Sequence, residues 1–128
     1  MNKNILALAY LGDSVFELYV REFLLNKFSK VNTLQEKAIK IVSAKGQDAL
    51  IKKLISDNIL SETELSVFNR GRNAKCAHHP KNTDIITYKY ATGFEAMIGY
   101  LYLNDKKRLN EVLKICLEDS LCTCKGKM

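Results

Sequence analysis

The sequence predicts an all-α fold, and three observations carry that expectation. Apolar residues recur at three- and four-residue spacing along most of the 128 residues, which is the period of a helix with one buried face. One proline and six glycines are too few breakers for a chain of many strands and turns. The stretches between periodic segments are short, as neighbouring antiparallel helices require. With 47% hydrophobic and 27% charged residues, the chain can bury one modest core, so residues 1–128 are expected to form a single domain.

The first helix is expected from about Ile5 to Phe28, with Leu8, Leu11, Val15, Leu18 and Glu22 along one stripe. A pause at Ser29–Thr33 precedes a second helix from about Leu34 to Ala44, where Thr33 and Glu36 have the spacing of a capping box. Gly46 separates a third helix whose core face is Leu50, Leu54 and Ile55. Ser61 is an N-cap candidate for a short fourth helix, with Glu62 and Glu64 in the first turn, where the helix dipole favours acids. That helix is expected to end near Asn69. The segment Arg70–Thr83 holds Arg70, Arg72, Lys75, Lys81, both histidines and the proline, and reads as an exposed basic loop. A helix from about Asp84 to Leu103 turns Phe94, Met97, Ile98 and Leu101 inward, and a last one spans about Lys106 to Leu121. Its Lys106, Lys107 and Arg108 read as a solvated start.

Composition narrows the function. Charges such as Glu17, Arg21 and Glu22 interrupt the longest apolar stretches, so none is long enough to span a membrane and the N-terminus lacks a signal-peptide core. A cytoplasmic location is expected. The formal charge of +6 favours a polyanionic partner. Cys76, Cys116, Cys122 and Cys124 form no regular framework and read as cytosolic thiols. Cys76, His78 and His79, taken with Cys122 and Cys124, match no common zinc spacing, and the histidines read as loop residues.

The functional signal is a pair of acids. Asp13 lies in Leu8-Ala9-Tyr10-Leu11-Gly12-Asp13-Ser14-Val15, and Glu95 in Thr92-Gly93-Phe94-Glu95-Ala96-Met97-Ile98-Gly99. Residues four apart on a helix are stacked neighbours, so Asp13 sits between Ala9 and Glu17, with Gly12 alongside, and Glu95 between Ala91 and Gly99. Small neighbours leave room for another helix, and the pattern suggests two helices crossing at their acids. Carboxylates about 5 Å apart at an effective dielectric of about 20 repel by roughly 3 kcal/mol. Mg²⁺ held by one or two carboxylates, water and phosphate oxygens would offset that. Each acid alone reads equally well as an exposed helical residue, and the pairing is what carries the argument.

These residues bear a resemblance. Leu11-Gly12-Asp13-Ser14-Val15 resembles the signature helix of the ribonuclease III catalytic domain, and Phe94-Glu95-Ala96-Met97-Ile98-Gly99 resembles its second acidic motif. Leu6–Asp13, Arg70-Gly71-Arg72-Asn73-Ala74-Lys75 and Pro80-Lys81-Asn82-Thr83-Asp84 are similar to the Mini-ribonuclease III group, over nearly the whole chain. The resemblance implies a homodimeric, Mg²⁺-dependent endonuclease that cleaves double-stranded RNA to a 5′ phosphate and a 3′ hydroxyl, acting in maturation of the 23S ribosomal RNA precursor. It implies no separate double-stranded-RNA-binding domain in a chain of this length. Asp13 and Glu95 become the catalytic metal ligands.

Two positions depart from the wider family pattern. Where that pattern has a glutamate four residues before the aspartate this chain has Ala9, and where it has an aspartate three before the glutamate this chain has Thr92. One firmly held Mg²⁺ is therefore expected, with Asp84 as the candidate outer-site acid or simply a helix-start acid. Double-stranded RNA is read by shape and charge, so Arg72 and Lys75 are assigned to phosphates and Asn73 to a 2′-hydroxyl, with Lys81 and Asn82 beside them. Phe16, Tyr19, Tyr100 and Tyr102 are candidates for a partner face or for core. The absent acids leave a rival, a non-catalytic RNA-binding or ribosome-associated module. A helical DNA-binding protein is less well supported, since no recognition helix is evident.

Overall fold

The computed structural model describes residues 4–75, 81 and 83–125, with 119–125 as helical backbone only. Asn82, Cys76, His78 and His79, and the side chains of Cys122 and Cys124, lie outside the described residues. Among the described residues six helices follow one another: α1 (Ile5–Leu25), α2 (Val31–Val42), α3 (Ala44–Ser56), α4 (Glu62–Asn73), α5 (Ile85–Asn104) and α6 (Lys106–Lys125). No strand occurs among the described residues. The all-α expectation holds.

The central element is α5, against which α1, α3, α4 and α6 all pack. Its residues Ala91–Phe94 and Ala96–Gly99 are buried, so Phe94, Met97, Ile98 and Leu101 point inward as expected. The ring of Phe94 meets Phe16 of α1 edge-to-face, with centroids 4.9 Å apart, a geometry that adds about 1 kcal/mol to the area buried. Asn4 caps α1 by accepting from the N–H groups of Leu6 (2.8 Å) and Ala7 (3.3 Å).

The buried face of α1 runs Leu8, Gly12, Phe16, Val20, Leu24, with Ala9 and Val15 beside it. This corrects the expected stripe, because Leu18 and Glu22 are exposed. Steps of four drift around the helix and suit a crossing against α5, whereas the expected stripe was closer to the 3.5-residue seam of parallel-running helices. α1 also stops at Leu25, where the N–H groups of Lys27 and Phe28 both bond to the Leu24 carbonyl at 2.9 Å.

α2 begins at Val31, so Thr33 and Glu36 form no capping box, and its N-cap Lys30 makes no side-chain cap bond. Packing of Leu34, Ala38 and Ile41 onto the core starts the helix, in keeping with the dominance of tertiary contacts over local caps. Gly46 is not a spacer. Ser43 ends α2 and N-caps α3, its Oγ accepting from Gly46 N–H at 3.2 Å. A Cβ on Gly46 would lie 2.8 Å from the Ile41 carbonyl carbon, so the absent side chain lets the two helices meet almost end to end. In α3 Ile51 takes the core position expected of Ile55. Beyond its end, Asn58 adopts a left-handed backbone (φ 58°), which asparagine tolerates better than most residues.

Ser61 caps α4 as expected and forms a capping box with Glu64. The helix continues to Asn73, so Arg70–Asn73 are its last turn and not part of a loop. Gly71 allows this, since a Cβ there would lie 2.9 Å from both Gly93 Cα and Ala96 Cβ of α5. Arg108 is also not a solvated charge. Its Nε and Nη2 donate to the two carboxylate oxygens of buried Glu64 at 2.7 and 3.0 Å, and Nη2 donates to the Ile59 carbonyl at 2.8 Å. Burial raises the Glu64 pKa, but the Arg108 and Ser61 hydrogen bonds outweigh it and leave the carboxyl below its usual range. This fork ties α6 to the start of α4.

Candidate active site

The acids meet where α1 crosses α5. A Cβ on Gly12 would fall on the Glu95 carbonyl and 2.9 Å from Gly99 N, and one on Gly99 would lie 2.9 Å from the Leu8 carbonyl carbon. The helices therefore touch backbone to backbone, as the small residues beside the acids predicted. Asp13 follows Gly12 directly, and Glu95 supplies the carbonyl that Gly12 contacts.

Both acids line one open cavity of about 360 Å³. Leu6, Ala9, Tyr10 and Asp13 form its α1 wall, Tyr88, Lys89, Thr92 and Glu95 its α5 wall, and Gly71 and Ala74 close it from the end of α4. Asp13 is exposed and Glu95 half-buried, so the pair reaches from interior to solvent. Burial first, then the negative charge of Asp13 and a hydrogen bond with it, raise the Glu95 pKa to about 8, while a hydrogen bond from Gln47 pulls the other way. A carboxyl in this position holds a proton or meets a cation.

Ala9 and Thr92, the two positions without the family's acids, line this same cavity. Thr92 is buried and its Oγ1 donates to the Tyr88 carbonyl at 2.9 Å, one turn back on its own helix. Among the described residues no group of three or more His, Cys, Asp or Glu could hold a metal. The donor set is thus two carboxylates, hard oxygen ligands beside open solvent. It fits Mg²⁺, which takes one or two carboxylates and fills its remaining positions with water and phosphate.

The other expected residues lie apart from this cavity. Asp84 is the N-cap of α5, with Oδ2 accepting from Ile86 and Thr87 N–H at 3.1 and 3.2 Å, the helix-start role. Arg72 sits near the rings of Phe68 and Tyr90, 5.7 Å from each centroid, and its Nε donates to Asn73 Oδ1 at 3.2 Å. Asn73, Lys75 and Lys81 are exposed. Phe16 is core, with Tyr19, Tyr100 and Tyr102 packed partly buried against it. Lys89, which lines the same cavity, escaped the sequence reading, which followed the acids and their small neighbours.

Comparison with known proteins identifies the family. Residues 6–106 match the family model described as the ribonuclease III domain. Mini-ribonuclease 3 of Enterococcus faecalis is 43% identical over 90% of this chain and 89% of its own length. Mini-ribonuclease 3 of Clostridium tetani is 44% identical over 89% of this chain and 76% of its own length. The crystal structure of protein FN1578 from Fusobacterium nucleatum superposes with a TM-score of 0.78 at 30% identity, covering 92% of this chain and 95% of that one. Two thirds or more of both chains align in each case, and the acids sit at the helix crossing within the matched region, so the chain belongs to the ribonuclease III family and is an endoribonuclease.

Proposed function

We propose that this endoribonuclease hydrolyses double-stranded RNA with Mg²⁺ held by Asp13 and Glu95. The observation that carries the reading is the convergence of those two carboxylates, from helices far apart in sequence, on one open cavity. When bound, the ion supplies a Lewis acid for the phosphoryl oxygens and lowers the pKa of a coordinated water. Asp13 and Glu95 fix the place of that charge, and their mutual repulsion is relieved by it. Lys89, on the same wall, offers an ammonium to the phosphodiester, and the exposed Tyr10 borders the opening. In the hydrolysis, water oxygen bonds to phosphorus, the bond to O3′ breaks, and O3′ takes up a proton. The products are a 5′ phosphate and a 3′ hydroxyl.

Arg72, Asn73, Lys75 and Lys81 are proposed to follow the RNA backbone, and Asn82, on the sequence alone, to do the same. With Phe68 and Tyr90 near its guanidinium, Arg72 has an orientation set by its neighbours, which favours directed phosphate contact. Cleavage of both strands calls for two sites, and a homodimer supplies them. Leu18, Leu25, Val31 and Ile39 are exposed along a groove between α1 and α2, more apolar surface than isolated exposed residues require. The 23S ribosomal RNA precursor as natural substrate and the cytoplasm as the place of action are part of the same proposal and rest on the resemblance of the sequence motifs. No described helix is long and apolar enough to cross a membrane.

Asp13→Asn tests the reading. The variant is expected to stay folded and to bind a perfect RNA duplex, but to lose Mg²⁺-dependent cleavage. Cleavage at the parent rate would remove Asp13 from the site.

A further inference from the structure

Two cations from different helices reach one aromatic ring. Lys52 of α3 has its Nζ 5.0 Å from the ring centroid of Tyr90 on α5, and the guanidinium carbon of Arg72 on α4 lies 5.7 Å from the same centroid. Both are within the roughly 6 Å over which a ring face attracts a cation. Phe68, 1% exposed, anchors the group: its ring meets Tyr90 edge-to-face at 5.5 Å and lies 5.7 Å from Arg72. Helix periodicity explains the arrival of Lys52. It follows buried Ile51, as Asp48 one turn earlier follows buried Gln47, so both stand about 100° round α3, at the rim of its core face. Asp48 Oδ2 accepts from Lys52 Nζ at 3.1 Å, yet the lysine side chain is still 54% exposed.

This cluster has positive charge and donors to spare. Asp48 offsets only one of two cations that share a ring, and like charges gathered so closely repel unless an anion joins them. Arg72 gives its Nε to Asn73 Oδ1, and its two terminal amino groups donate to none of the described residues. Lys52 has three protons and one carboxylate oxygen. Phosphate oxygens are the acceptors that suit such donors, the guanidinium binding two at once and the ammonium acting as a point charge. The cluster also adjoins the cavity of the two acids. Gly71 and Lys89 line that cavity, and Arg72 and Tyr90 are the next residues along their helices, one Cα step of about 3.8 Å away. A strand that places one phosphate at the acids carries its next charges over the adjoining surface, which on the α4 side presents Arg72 and Lys52.

We propose that Lys52 and Arg72, seated on Tyr90, form a phosphate clamp that grips the RNA backbone beside the cleavage site, making α3 part of the RNA-binding surface. The inference rests on the reading of the cavity as the place where duplex RNA is cut. Tyr90 fixes where the two charges stand, and Asp48 keeps the Lys52 ammonium from swinging away.

The test measures binding of a perfect RNA duplex in chelator over a series of salt concentrations. The parent, Lys52→Met, Lys52→Arg and Lys114→Met are compared, each first shown by thermal unfolding to be folded. Lys52→Met keeps an apolar stem on Tyr90 and removes the charge, and should lower the slope of log affinity against log salt by about 0.7–0.9. Lys52→Arg restores a cation and should keep the parent's slope. Lys114→Met removes the same charge from an exposed position on α6 and should keep it too. Lys52→Gln replaces the methionine variant should that one fail to fold. A folded, uncharged Lys52 variant with the parent's slope overturns the clamp. So does an equal fall in Lys114→Met, which would make the effect one of net charge alone, and so does a Lys52→Arg that binds like the methionine variant. If the clamp fails while Asp13→Asn abolishes Mg²⁺-dependent cleavage, the reading of the cavity stands without it. Parent-rate cleavage by Asp13→Asn overturns that reading and the inference built on it.

Discussion

Replacing Glu95 by glutamine should make the metal-free protein more stable at alkaline pH, even as it removes a residue assigned to catalysis. The Glu95 carboxyl is raised from 4.5 to about 8 by burial and then by Asp13. A raised carboxyl binds its proton more tightly in the folded than in the unfolded chain, so its contribution is complete below pH 4.5 and is lost as pH climbs to about 8. At about 1.4 kcal/mol per pH unit the loss amounts to about 5 kcal/mol. Solvent reaches a half-buried group, and halving the figure for that screening leaves about 2–3 kcal/mol. For a chain of this length that is about 10 °C in melting temperature. The assay is thermal unfolding in chelator between pH 5 and 9. The gap between Glu95→Gln and parent should widen by that amount from pH 5 to 8.5, and Mg²⁺ at pH 8.5 should raise the parent alone. Asp13→Asn, which removes the neighbouring charge, should flatten the parent's slope. Parallel curves for parent and Glu95→Gln across the whole range would refute the reasoning.

Gly12→Ala drives a Cβ onto the Glu95 carbonyl and should destabilise by about 3 kcal/mol or more, read by urea unfolding, with cleavage lost. Arg108→Met leaves buried Glu64 without its fork and should destabilise by about 3 kcal/mol at pH 7. The Glu64 pKa is held down by the Arg108 and Ser61 hydrogen bonds against burial, so that contribution is present above pH 4.5 and lost on acidification, and parent and variant should converge in urea titrations at low pH. Lys75→Ala and Lys89→Ala should each reduce the slope of log affinity against log salt by about 0.7–0.9 in duplex-binding assays. An unchanged slope would take that lysine out of the RNA contact.

Much of the fold was legible because the evidence for it is local. Ser61 caps α4 and Asp84 caps α5 through residues two or three positions away, and the inward face of α5 repeats within a few turns. The acid pair was legible for a related reason, since Gly12 and Gly99 mark the close approach of two backbones. What failed depended on partners distant in the chain. Thr33 and Glu36 have the right spacing for a cap, but packing of Leu34 and Ala38 starts α2 earlier. Arg70–Asn73 carry loop-like composition, yet Gly71 fits against Gly93 and extends the helix. Arg108 looked like a solvated charge because Glu64, its partner, lies 44 residues away.

The contact of Gly12 with Glu95 and Gly99 also works as a fulcrum. Asp13 lies about 1.5 Å along the α1 axis from that point, while Leu25 lies about 20 Å from it. A scissoring of α1 against α5 by 5° would carry Leu25 through about 1.7 Å but shift Asp13 by only about 0.1 Å. The far ends of these helices can therefore adjust, to a partner copy or to the width of an RNA duplex, while the gap between the two carboxylates is kept by the main chain itself.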